Sequence, residues 1–212
     1  MKNYLYSLLC IALLSCGQTQ NPKEKPSLVT NPVEDSVAVI VNPSTVEDIK
    51  KVYTATNEKL KSQSLDSVSY MYNCNDEISG TVTYYSESGK LKLIKHSYSE
   101  YSHFTAVDHY YVSDDNLFFA HLKGVSWSFE SGRAAEGATK DNITEQRLYV
   151  VKKLPVLCLE KKYIKRSHAQ DNPLPENVPN KEVECKSIEP TLRDFGKLLA
   201  FKDSSNRDCL GK

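Results

Sequence analysis

Between Asp66 and about Lys165 apolar and polar residues alternate along the chain, and no other feature restricts the fold as much. Side chains on an extended strand point to opposite faces in turn, so a period of two marks strands with unlike faces. Val68, Tyr70, Tyr72 and Cys74 alternate with Ser and Asn; Ile78 to Tyr85 follows, and Ser88-Gly89 turns the chain into Leu91 to Tyr98. Further strands are expected at Phe104 to Val112, Leu117 to Lys123, Ile143 to Lys152 and Val156 to Tyr163, with Trp127 and Phe129 extending the fifth. Short strands separated by Ser, Asp, Asn and Gly predict an antiparallel meander.

The flanks have the other period. Ser44-Thr45-Val46-Glu47 has the S-x-x-E form of a capping box, and Val46, Ile49, Val52, Tyr53 and Leu60 then follow at helical spacing to about Gln63. Near Pro190 the helical period returns through Leu192, Phe195, Leu198 and Phe201. The expected fold is a single α+β domain over residues 44–212. It is a curved antiparallel β-meander of about six to seven strands, with an N-terminal and a C-terminal amphipathic helix packed on one face. No internal repeat stands out. Ser131 to Asn142 and Ser167 to Glu184 are long connections, and loops beyond about 12 to 15 residues are often functional.

Ahead of this domain Lys2 precedes an apolar run, Tyr4 to Leu14, which is too short to span a bilayer as a helix and reads as a signal segment. It ends in Leu13-Leu14-Ser15-Cys16, which resembles the lipobox of bacterial lipoproteins. The resemblance implies a cleaved signal peptide over residues 1–15 and diacylglycerol and palmitate-type lipid on Cys16. Gly17 after Cys16 would direct the chain to the outer membrane, facing the periplasm or the surface. Two or three acyl chains at roughly 0.8 kcal/mol per buried methylene anchor nearly irreversibly. Residues 16–43 are then a tether: Gly17 to about Ser36 is rich in Gln, Asn, Pro, Ser and Lys, and about 20 such residues span roughly 25 Å. Val37 to Val41 is expected as a short edge strand. The body, from the capped helix to the last cysteines, loosely resembles small uncharacterised lipoproteins of Bacteroidota. Asp35-Ser36-Val37 and Asp66-Ser67-Val68 resemble the short sites that Bacteroidota glycosylate.

With Cys16 lipidated, Cys74, Cys158, Cys185 and Cys209 remain as disulfide candidates, since none pair in the C-x-x-C spacing of a zinc site. Cys185–Cys209, bracketing the last helix, is the preferred pairing, leaving Cys74–Cys158. The formal net charge of zero offers no basic excess for nucleic acid.

Ten of the thirteen tyrosines lie between Tyr70 and Tyr163. Tyr84-Tyr85, Tyr110-Tyr111 and Phe118-Phe119 are consecutive on strands, so each pair should place one ring on either face. If helices cover one face, the other is a candidate binding face; if the sheet curls, the rings line a cavity. His103 and His109 lie about 20 Å apart along a strand and cannot share an ion, so no metal or cofactor is expected. A four-residue hairpin loop at 113–116 would set Asp108 opposite His121, a candidate cross-strand pair. Gly124-Val125-Ser126-Trp127-Ser128 lacks the final glycine of G-x-S-x-G, and no phosphate-loop or H-E-x-x-H pattern occurs.

These observations predict a lipid-anchored envelope protein, a non-enzymatic binding module for an envelope protein partner (inhibitor, immunity or accessory protein). A carrier of a small apolar ligand is the alternative, and a cell-envelope hydrolase the second alternative. The last requires a titratable pair with shifted pKa values inside a cleft.

Overall fold

The computed structural model describes residues 42–131 and 136–210. The leader, Cys16, the tether before residue 42 and the expected strand Val37 to Val41 lie outside the described residues. Helix α1 (Val46–Lys61) comes first, followed by β1 (Asp66–Cys74), β2 (Ile78–Glu87), β3 (Lys90–Glu100), β4 (Phe104–Ser113), β5 (Asn116–Phe129), β6 (Thr139–Val151) and β7 (Leu154–Arg166). A 3-10 turn (Pro175–Asn177), the two-residue strand β8 (Lys181–Glu182) and helix α2 (Glu189–Asp203) complete the chain. The strands form one open antiparallel sheet in sequence order, so the meander and the α+β class hold, with eight strands rather than six or seven. No described helix is long and apolar enough to cross a membrane.

One hairpin geometry recurs three times. The β2–β3, β4–β5 and β6–β7 turns each have two central residues with positive φ: Ser88 and Gly89, Asp114 and Asp115, Lys152 and Lys153. That is the backbone of a type I′ turn, whose twist suits paired strands. Two residue pairs beyond each turn the register slips by one, leaving Lys92, Phe118 and Val156 as bulge residues. Tyr85, Tyr111 and Tyr149 occupy the equivalent place beside the three bulges.

The two helices cover opposite faces, contrary to the expectation that they share one. Tyr85, Leu93, Tyr111, Phe119 and Tyr149 form a platform for Ile49, Val52 and Tyr53 of α1. Val82, Tyr84, Ile94, Tyr110 and Ala120 lie on the other side, under Phe195, Leu198 and Phe201 of α2. Consecutive strand residues point oppositely, so Tyr84-Tyr85 and Tyr110-Tyr111 supply a ring to each core, and each apolar face requires its own helix. Phe118 and Phe119 depart from that rule and both join the α1 cluster, because Phe118 is a bulge residue.

The capping box is displaced by one residue. Thr45 is the N-cap, and Asp48 accepts from the Thr45 amide at 3.1 Å and from the Ser44 amide and hydroxyl at 3.2 Å. Glu47 instead pairs with Lys50 at 2.8 Å.

All four candidate cysteines form disulfides, but as Cys74–Cys209 and Cys158–Cys185. The preferred Cys185–Cys209 pairing does not form because the two cysteines go to different strands: the Asn73 amide of β1 donates to the Asp208 carbonyl at 2.9 Å, and the Val183 amide to the Cys158 carbonyl of β7 at 3.0 Å. Bridged Cα atoms must lie within about 7 Å. Two disulfides suit an oxidising compartment, periplasmic or extracellular.

Candidate functional site

The expected binding face is not a surface. Tyr84, Tyr110, Tyr111, Phe118 and Phe119 are buried and Tyr85 is half-buried. Tyr84 donates to the Leu198 carbonyl at 2.7 Å, and Tyr111 to Asn57 Oδ1 at 3.0 Å, so the phenols fasten the sheet to its helices.

The expected Asp108–His121 pair does not form either. The turn register alone, with Ser113 opposite Asn116, would bring those two residues level. The bulge at Phe118 then advances β5 by one residue, setting His109 opposite His121 and Asp108 opposite Leu122. A one-residue slip moves a side chain to the other face of a sheet. His121 therefore faces the α1 side, where it lies 3.2 Å from Glu145. Glu145 also receives Lys161 at 3.2 Å and the Tyr163 hydroxyl at 3.1 Å. Burial by itself pushes the Glu145 pKa up; the hydrogen bonds from Lys161, His121 and Tyr163 more than reverse it. Lys161 in turn donates to the Pro175 carbonyl at 2.9 Å, so the long connection after β7 closes over this network. Both Glu145 oxygens are engaged, and the cluster is a satisfied buried ion network rather than an open site.

Asp108 does meet a histidine, on its other neighbour: His96 of β3 is its cross-strand partner on the α2 side. Together they line a cleft of about 380 Å³ between β1–β4 and α2. Tyr72, Tyr98 and Tyr110 contribute from the sheet, Asp194, Lys197 and Leu198 from α2, and the Cys74–Cys209 disulfide with Leu210 closes one end.

The floor depends on a missing side chain. A Cβ on Gly80 would fall 2.7 Å from the Ser97 carbonyl and 2.8 Å from the Tyr72 hydroxyl. Lacking one, Gly80 lets the Tyr72 ring lie across β2, and its hydroxyl meets His96 Nε2 at 2.8 Å. The imidazole stacks on Tyr98 with centroids 4.4 Å apart.

Burial sets the electrostatics. It lowers the His96 pKa to about 4, so the ring is neutral at physiological pH. Burial and the charge of Asp194 raise Asp108 to about 7, against a single opposing backbone hydrogen bond from the Lys123 amide at 3.2 Å. The Tyr72 phenol is pushed up to about 12 by burial and by Glu100. Tyr98 and Tyr110 are pushed up further by burial and by the carboxylates around them, Asp108 first. A carboxyl titrating near neutrality can hold or give up a proton at little cost. Among the described residues no serine, threonine or free thiol lines the cleft.

Tyr72, His96, Tyr98 and Asp194 were not singled out from the sequence. The available signal was His96, a polar residue at a core-facing position between Ile94 and Tyr98. Among the described residues no group of His, Cys, Asp and Glu is arranged to hold a metal ion. No family model, curated protein or solved structure matches the chain.

Proposed function

We propose that the chain is a lipid-anchored protein of the bacterial envelope whose folded domain binds a small ligand, without chemistry, in the cleft beneath α2. The lipobox-like tetrad ending at Cys16 supports the anchor, and two disulfides suit the compartment. The observation that carries the binding reading is the cleft, a concave cavity in which tyrosine, leucine and isoleucine side chains are interleaved with about as many polar and charged ones. A protein partner loses its main support with the aromatic face buried under both helices.

A second reading is favoured by one observation. Asp108, with a pKa of about 7 beside His96 at about 4, is the kind of shifted pair a hydrolase would need.

Native-state mass spectrometry on the chain purified from its own envelope tests the proposal. The expected result is one bound small molecule per chain, absent from Leu210→Trp, whose larger side chain takes up space at the disulfide end of the cleft. Apoprotein alone would sink the ligand reading. In the same host, Cys16→Ser is expected to move the chain from the membrane to the soluble fraction; unchanged fractionation would rule out the anchor.

A further inference from the structure

Two side chains of low exposure reach the cleft with acceptor atoms that meet no donor among the described residues. Tyr110 is only 2 % exposed, yet its phenol opens into the cleft and has no hydrogen-bond partner among the described residues. Asp108 is 8 % exposed; one oxygen accepts from the Lys123 amide, and its other oxygen meets no protein donor. Among the described residues the fully buried side-chain atom without a partner is Arg207 Nε, so the Tyr110 and Asp108 oxygens open to solvent in the cleft, where a ligand supplying donors can take the place of water.

Charge specifies the ligand further. The carboxyl groups of Asp108, Glu100 and Asp194 all act on the Tyr98 phenol, and those of Asp108 and Asp194 on Tyr110. Lys197 is the one basic side chain in the lining apart from His96, which burial keeps neutral. Negative charge and tyrosine faces together favour a cation. A quaternary ammonium has the charge but no N–H for the waiting acceptors, whereas an alcohol has a donor but no charge. Of the remaining lining, Ile78, Leu198 and Leu210 are apolar, while Asn75 and Glu77 add a polar and an acidic group.

We propose that the cleft binds a primary alkylammonium ligand, its nitrogen donating to Asp108 and Tyr110 and its alkyl chain lying along Ile78, Leu198 and Leu210. This rests on reading the cleft as the ligand seat. The ammonium supplies three donors and a positive charge to acceptors that lack both, and the chain displaces water from the apolar wall.

The test is calorimetric titration of hexylamine, hexan-1-ol and hexyltrimethylammonium into the full-length chain at neutral pH. Hexylamine is expected to saturate at one per chain, with the other two at least about tenfold weaker, the scale of one charge-assisted hydrogen bond. Asp108→Asn and Tyr110→Phe should each weaken hexylamine by about tenfold. Tyr110→Phe keeps the ring that packs against Phe195, so it separates loss of the phenol from loss of the fold. Hexan-1-ol binding as tightly as hexylamine, with both abolished by Leu210→Trp, would overturn the ammonium class and leave the cleft reading standing. Hexylamine binding untouched by both substitutions would also overturn it. If neither compound binds and the envelope-purified chain carries no ligand, both readings fall.

Discussion

Asp108 holds its carboxyl where the charged form is poorly served, with one backbone donor and the charge of Asp194 nearby. The folded pKa of about 7 lies above the ordinary 3.8, so the folded chain binds the extra proton between those values. Its contribution to stability is complete below pH 3.8 and is lost as pH rises through about 7. Relative to the native chain, Asp108→Asn should gain up to about 4 kcal/mol between pH 3 and pH 8, read from denaturant unfolding at each pH. A difference that does not change with pH would show that the carboxyl is solvated. His96 and His109 work in the opposite sense: burial holds both near pKa 4, below the ordinary 6.5, so their contribution is lost as pH falls through that window. At this scale the sequence was legible only in kind. Alternation identified Asp108 and a cross-strand histidine as a feature, but chose His121 over His96. The deciding bulge is a single extra residue, Phe118, with no side-chain signature of its own.

The strands were readable because period two persists through each of them, and α1 because its stripe and caps agree. The faces were not. An apolar stripe shows that a helix packs on something, without saying on which side of the sheet. The adjacent aromatics Tyr84-Tyr85 and Tyr110-Tyr111 were the clue that both sides are cores. β8 was invisible at two residues, held to β7 by the pairing at Leu159 and Glu160. Among the strands the sharpest dependence is at Gly80. Gly80→Ala should cost about 1 to 3 kcal/mol, because the new methyl meets the Ser97 backbone and cannot be relieved by a rotamer change. It should also push Tyr72 from His96 and admit water, so that the imidazole titrates closer to its ordinary 6.5, as read by proton NMR. Unchanged stability together with an unchanged His96 titration would refute this account of the floor.

For the whole molecule the two disulfides differ in reach, closing separations of 135 and 27 residues. On chain entropy alone, Cys74–Cys209 contributes about 5 kcal/mol and Cys158–Cys185 about 3.5 kcal/mol. The Cys74→Ser/Cys209→Ser double variant should therefore unfold at lower denaturant than Cys158→Ser/Cys185→Ser, and it alone should lose ligand affinity, because its bond closes the cleft. The reverse order would mean that the β7 edge, where Cys185 ties the connection down, limits the fold. Sequence spacing could establish that four cysteines remain for pairing. It could not show that Asp208 accepts from the Asn73 amide at 2.9 Å, which brings Cys209 back to the edge strand.

That return also sets a timetable. A chain made from its N-terminus exposes Cys74 after the first helix and strand, but its partner follows α2, behind every other element of the fold. The cleft thus acquires its end wall only once the last helix has been delivered. A chain halted between α2 and residue 209 would have its sheet and an unfinished pocket, with a free thiol at its rim. Reactivity of Cys74 toward a thiol label therefore reports molecules whose end wall is not yet closed.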